Sequence, residues 1–133
     1  MRTPARLPFL LAIALCTPAC FPAILGVGAG LVLSHEILDN NTYIAQVDEG
    51  AALTWAITKS SLTHQASGPI TVDNDLRTAT GQVDDAIVTI SVETYDDNSC
   101  RLMVSARKYG MNDGIAAETM LKRLLADLHE ARG

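Results

Sequence analysis

The chain has 133 residues, 48% of them apolar and only 5% aromatic, and a formal charge of −5. That length allows one modest domain. The acidic balance repels phosphate backbones and argues against nucleic acid as a partner, and so few aromatic rings leave no stacking platform for bases or sugars.

Residues 1–19 have the three-part layout of a secretory signal. Arg2 and Arg6 make a basic start, Leu7 to Leu15 an apolar run broken only by Pro8, and Thr17-Pro18-Ala19 a short stretch of small or turn-forming residues before Cys20. The arrangement resembles a bacterial lipobox, in which the cysteine after the cut receives diacylglycerol and becomes the new N-terminus. Cys20 is therefore the lipidation candidate. Ala19 suits the position before it, whereas Leu15 is too large to serve Cys16 in the same way. Thr17 and Pro18 depart from the usual residues there. Two other readings stay open. Leu7 to Leu33 spans 27 positions without a charge, longer than the ~20 a membrane helix needs, so it could be an uncleaved anchor, kinked at Pro18 and Pro22. It could also be a buried helix of a soluble domain. Position 22 is proline rather than aspartate, which leaves no inner-membrane retention signal of the enterobacterial kind and points to the outer membrane, facing the periplasm.

Phe21 to Leu33 stays apolar, with Gly26, Gly28 and Gly30 at every second position. It is not a dinucleotide-binding loop, because Leu31 stands where the third glycine belongs and no strand precedes it. It reads as a spacer beside the bilayer. Ser34 to Thr42 then turns polar and reads as a linker. The expected organisation is a signal over 1–19, a lipidated glycine-rich segment and linker over 20–41, and a folded domain over 42–133.

Within that domain Tyr43 to Val47 has strand character. Asp48 is placed to cap a helix from about Glu49 to His64, with Leu53, Ala56 and Ile57 on one side and Ala52, Trp55 and Leu62 on the next, joined as one apolar stripe. Trp55 reads as a core anchor. Gly68-Pro69 breaks the chain. Ile70 and Val72 suggest a short edge strand, and Leu76 to Val83 a threonine-rich one. Asp84-Asp85 makes a turn, and Ala86, Val88, Ile90 and Val92 alternate with Ile87, Thr89, Ser91 and Glu93 in the firmest strand of the chain. After a loop at Asp96-Asp97-Asn98, Cys100, Leu102, Val104 and Ala106 face inward, with Arg101, Ser105 and Arg107 outward, as a sheet with one wet face requires. Asn112 or Asp113 caps a last helix. There Ala117, Met120, Leu121, Leu124, Leu125 and Leu128 make one stripe, whose burial contributes ~10 kcal/mol gross at about 1.5–3 kcal/mol per large side chain. The fold class is α+β: an antiparallel sheet of about four strands with two helices on one face, in the order β-α-β-β-β-α.

The segment TPAC followed by LGVGAG, the meander ATGQVDDAIVTISVETYDDNSCRLMVSARKYG and the final helix AETMLKRLLADL together resemble a family of short, uncharacterised bacterial lipoproteins, a domain of unknown function. The resemblance implies an envelope location and an α+β fold. It brings no catalytic residue with it.

The residues suggest no catalytic constellation, cofactor or metal site. His35, His64 and His129 are far apart and form no HxxxH or HxH pair. No nucleophile-elbow motif supports a Ser/His/Asp site, although one assembled in space would leave no such motif. Asp73-Asn74-Asp75 resembles a calcium loop only faintly, with Arg77 where another oxygen ligand belongs. Cys100 reads as a small core filler. The expected function is that of a noncatalytic, lipid-anchored envelope protein, with the membrane and an envelope protein as partners. The alternative is a small-ligand or lipid-binding periplasmic module using the cleft between helices and sheet.

Overall fold

The computed structural model describes residues 32–38 and 42–132. The expected signal, Cys20 and the glycine-rich segment up to Leu31 lie outside the described residues. The elements are β1 (Val32–Leu38), β2 (Thr42–Val47), α1 (Ala51–Gln65), β3 (Thr71–Asp73), β4 (Thr78–Val83), β5 (Ala86–Thr94), β6 (Cys100–Lys108), β7 (Met111–Asn112) and α2 (Gly114–Arg132). The class is α+β, as the periodicity implies.

The sheet is antiparallel throughout, in the order β1-β2-β6-β5-β4-β3, with the short β7 folded back on the end of β6. It is larger than the four or so strands expected. Ser34 to Thr42, read as a linker, holds most of β1, which pairs with β2 from Val32↔Val47 to Leu38↔Thr42. Its mixed polarity hid it, since neither face alternates cleanly. Strand β4 starts at Thr78 rather than Leu76. Leu76 is an exposed turn residue, and Arg77 has φ +49, which no strand accommodates.

Two tight hairpins set the register. Val83↔Ala86 closes the Asp84-Asp85 turn and Lys108↔Met111 closes the Tyr109-Gly110 turn. All four central residues have positive φ, the type I′ form whose twist suits a hairpin. Strands β4, β5 and β6 then bring Ala79, Ile90 and Val104 into line on one face, with Leu102, Val92 and Ala45 in the neighbouring row. These are buried under the helices. On the other face Thr80, Thr89, Ser105 and Thr42 fall in one row across four strands, and Thr80 and Thr89 share a hydrogen bond at 3.3 Å. This is the wet face.

Helix α2 buries all six stripe residues, from Ala117 to Leu128. Asp113 is its cap: its Oδ1 accepts from the Ala116 N–H at 3.1 Å, and Asn112 is instead the end of β7. Helix α1 buries Trp55 and Leu62 as expected, but differs from expectation at its start and over the rest of its face. Gly50 stands at the N-cap and offers no side-chain bond. Asp48 and Glu49 face Arg132 at the end of α2, at 4.0 and 3.7 Å. The buried face is Ala51, Thr54, Trp55, Thr58, Ser61 and Leu62, whereas Leu53 is 41% exposed and Ala52 and Ala56 are open to solvent.

The end of α1 comes close to β4. A Cβ on Gly81 of β4 would lie 2.9 Å from Ile70 Cγ2 and 3.4 Å from Leu62 Cγ, so the connection after α1 and the helix itself sit down on bare backbone. Small hydroxyl residues suit such contact. Thr58 satisfies its own hydroxyl by donating to the Thr54 carbonyl at 2.7 Å, which frees its methyl group to pack.

Candidate functional site

Helices α1 and α2 run antiparallel, and the contacts between them show it: Gln65 meets Arg123 and Ser61 meets Asp127. Between them lies an open groove of about 720 Å³, within the ~300–1,000 Å³ of small-molecule sites. It is lined by Ile57, Ser60, Ser61, His64 and Gln65 of α1 and by Arg123, Ala126, Asp127, Glu130 and Ala131 of α2.

A chain of hydrogen bonds crosses the groove twice. Arg123 Nη1 donates to Gln65 Oε1 at 3.1 Å, Gln65 Nε2 donates to Ser61 Oγ at 2.9 Å, and the Ser61 hydroxyl donates to Asp127 Oδ2. Arg123 also reaches Asp84 Oδ2 at 3.4 Å, tying the β4–β5 turn to α2. A cation begins the chain and a carboxylate ends it, so each bond polarises the next in a consistent direction. Helical spacing hid this constellation. Ser61, Gln65, Arg123 and Asp127 are each unremarkable surface types, and only the antiparallel pairing of the two helices joins them.

The groove brings one histidine, His64, near a buried serine, but not as a hydrolytic pair. Ser61 is 4% exposed, its proton is committed to a carboxylate, and its oxygen already accepts from Gln65. A nucleophile needs its proton directed to a base and its oxygen open to substrate. The arrangement instead clamps the two helices. His129 is exposed elsewhere on α2, and His35 belongs to β1. Among the described residues no group of three His, Cys, Asp or Glu side chains could hold a metal ion.

The acidic turns have local structural uses. Asp73 Oδ1 accepts from the N–H groups of Asp75 and Leu76 at 3.0 and 3.1 Å, an Asx turn. Asn74 Oδ1 accepts from the Trp55 indole at 3.1 Å and from Lys59 Nζ at 3.3 Å. Asp96 accepts from the Asn98 N–H at 2.8 Å, and that bond holds its carboxyl below the usual range. Cys100 is a free, buried thiol. Burial pushes its pKa up; the Thr54 hydroxyl beside it works against this, and the Glu49 carboxylate reinforces it. A thiol held protonated is inert, in keeping with a core filler. No family model matches this chain, and no curated protein matches it either.

Proposed function

We propose that the chain is a noncatalytic lipoprotein of the bacterial envelope, held to the membrane by acyl groups on Cys20 and acting through contact with another envelope protein. The carrying observation is the placement of Cys20 directly after a basic, apolar and small-residue leader. The fold is compatible with it. Eleven residues, 21–31, separate Cys20 from β1 in the sequence. Among the described residues no helix is long and apolar enough to cross a membrane. One acyl chain binds marginally and two or more anchor firmly, so stable attachment calls for full acylation of Cys20.

Intact mass of the protein extracted from membranes reads the cut site and the lipid together. The expected species begins at Cys20 and carries its acyl groups, and Cys20→Ala loses palmitate labelling. A chain that keeps Met1 and an unmodified Cys20 in the cytosol overturns the proposal.

The groove favours a second reading, a small-ligand or lipid-binding module. Its volume and its mixed apolar and polar lining suit an amphipathic ligand. Native mass spectrometry of the membrane-extracted protein tests this: an apolar ligand retained beyond the acyl anchor, and lost on Ala126→Trp, supports it.

A further inference from the structure

Among the described residues, four large apolar side chains stand open at one end of the molecule. Tyr109 is 86% exposed, Ile115 80%, Met111 73% and Ile87 57%. They come from the β6–β7 hairpin, the first turn of α2 and the start of β5: Met111 lies opposite Lys108 on the side of the sheet that carries α2 and Ile115, whereas Ile87 lies opposite Arg107 on the wet face. The knuckle is well braced. The Asp113 N–H donates to the Ala106 carbonyl at 2.9 Å, and Asp113 then caps α2.

Tyr109 is the informative residue. Its φ of +51 is a conformation that glycine or asparagine adopts at far lower cost than an aromatic residue. Its ring gains almost nothing from burial to offset that. Folding therefore does not account for a tyrosine here, and strain held at an exposed site is a pointer to binding.

The charges around the patch are divided. Arg107 and Lys108 flank it on the β6–β7 hairpin, with Lys108 Nζ 5.6 Å from the centre of the Tyr109 ring. Asp84 and Asp85 form the β4–β5 turn at the same end of the sheet, about two strand spacings away, on the order of 10 Å. A two-fold rotation about an axis through the tip lays the basic hairpin of one copy over the acidic turn of the other. An isologous interface needs that self-complementarity. An open aromatic side chain offers roughly 150–250 Å², and Tyr109 with Met111 and Ile115 supplies part of the ~800 Å² per partner of a standard interface. An anionic membrane surface fits less well, because Asp84, Asp85 and Asp113 would face it.

We infer that the chain forms a two-fold dimer through this tip, with Tyr109, Met111 and Ile115 at its centre and Lys108 set against the Asp84-Asp85 turn of the second copy. The tip is at the opposite end of β6 from Cys100, near which the chain joins the sheet at Val32, so the inference does not depend on the acyl anchor.

Sedimentation equilibrium of the full-length protein in a mild detergent is the test. The wild type is expected to dimerise below roughly 200 µM. Tyr109→Asn is expected to weaken association at least about tenfold while its thermal midpoint stays level or rises, because asparagine relieves the backbone. Lys108→Glu is expected to weaken the dimer, and Lys108→Glu combined with Asp85→Lys to restore it. A wild-type monomer overturns the inference. So does a dimer that Tyr109→Asn leaves intact, which would place the interface elsewhere. If the wild type is monomeric and Met111 becomes shielded from peroxide only in phosphatidylethanolamine/phosphatidylglycerol vesicles, the patch belongs to the membrane and the dimer is overturned.

Discussion

The indole N–H of Trp55 on α1 donates to Asn74 Oδ1 in the β3–β4 turn at 3.1 Å. The bond links the most massive side chain of the core to an edge hairpin that otherwise consists of one three-residue strand and a turn. Lys59 adds a second bond to the same oxygen and lies 5.2 Å from the centre of the Trp55 ring. Asn74→Ala would leave a largely buried indole N–H without its acceptor, at about 1–3 kcal/mol. Asn74→Asp keeps the acceptor and is expected to lose much less. Trp55 is the only tryptophan, so its fluorescence during urea unfolding reports both variants.

The Ser61–Asp127 bond predicts a measurable coupling between the helices. Ser61→Ala removes a part-buried hydrogen bond and should lower stability by about 1 kcal/mol. Because the hydroxyl also receives Gln65, a double-mutant cycle with Asp127→Ala should return an interaction energy of about 0.5–3 kcal/mol. A coupling near zero in chemical denaturation would show that the chain across the groove does not hold the helices together.

Gly81 predicts a contrast between two glycines. Gly81→Ala drives a methyl group to 2.9 Å from Ile70 Cγ2. Ile70 is β-branched and stiff at χ1, so relief requires a change of that rotamer or a shift of the chain leaving α1. The overpacking should cost about 1–3 kcal/mol. Gly68→Ala meets nothing within 4 Å and is expected to be neutral or mildly stabilising through the unfolded chain. Thermal midpoints of the two variants, measured side by side, decide the matter.

Cys100 predicts a pH dependence on the alkaline side. Its pKa is raised in the folded protein, chiefly by burial. Its contribution is therefore complete below the ordinary thiol value of about 8.5 and declines as pH rises through it towards the folded value, because the unfolded chain loses the proton first. Cys100→Ala should flatten the fall in stability as pH rises above about 8.5. Its core cavity should lower stability at neutral pH. In the native wild type, Cys100 should resist a disulfide reagent at pH 8 and react only on unfolding.

Wherever one residue type repeats against a single period, the chain can be read directly. Helix α2 puts leucine or methionine at helical spacing, and all six stripe residues are buried. Strands β5 and β6 alternate strictly, and Val88, Ile90, Leu102 and Val104 are interior. In both cases removal of apolar area from water outweighs the other forces, and it follows side-chain spacing. Helix α1 cannot be read this way. Its apolar residues suggest a stripe through Leu53 and Ala56, but the molecule buries Thr54, Thr58 and Ser61 instead. Gly81 lets Leu62, Ala66 and Ile70 approach β4 closely, Thr58 is buried with its hydroxyl bonded to the Thr54 carbonyl, and Ser61 is buried by its bond to Asp127 of α2. The strand β1, the polar chain from Arg123 to Asp127 and the apolar tip around Tyr109 likewise depend on contacts between residues far apart in the chain. Periodicity reports which side of an element avoids water, while the choice of neighbour is made only when the elements meet.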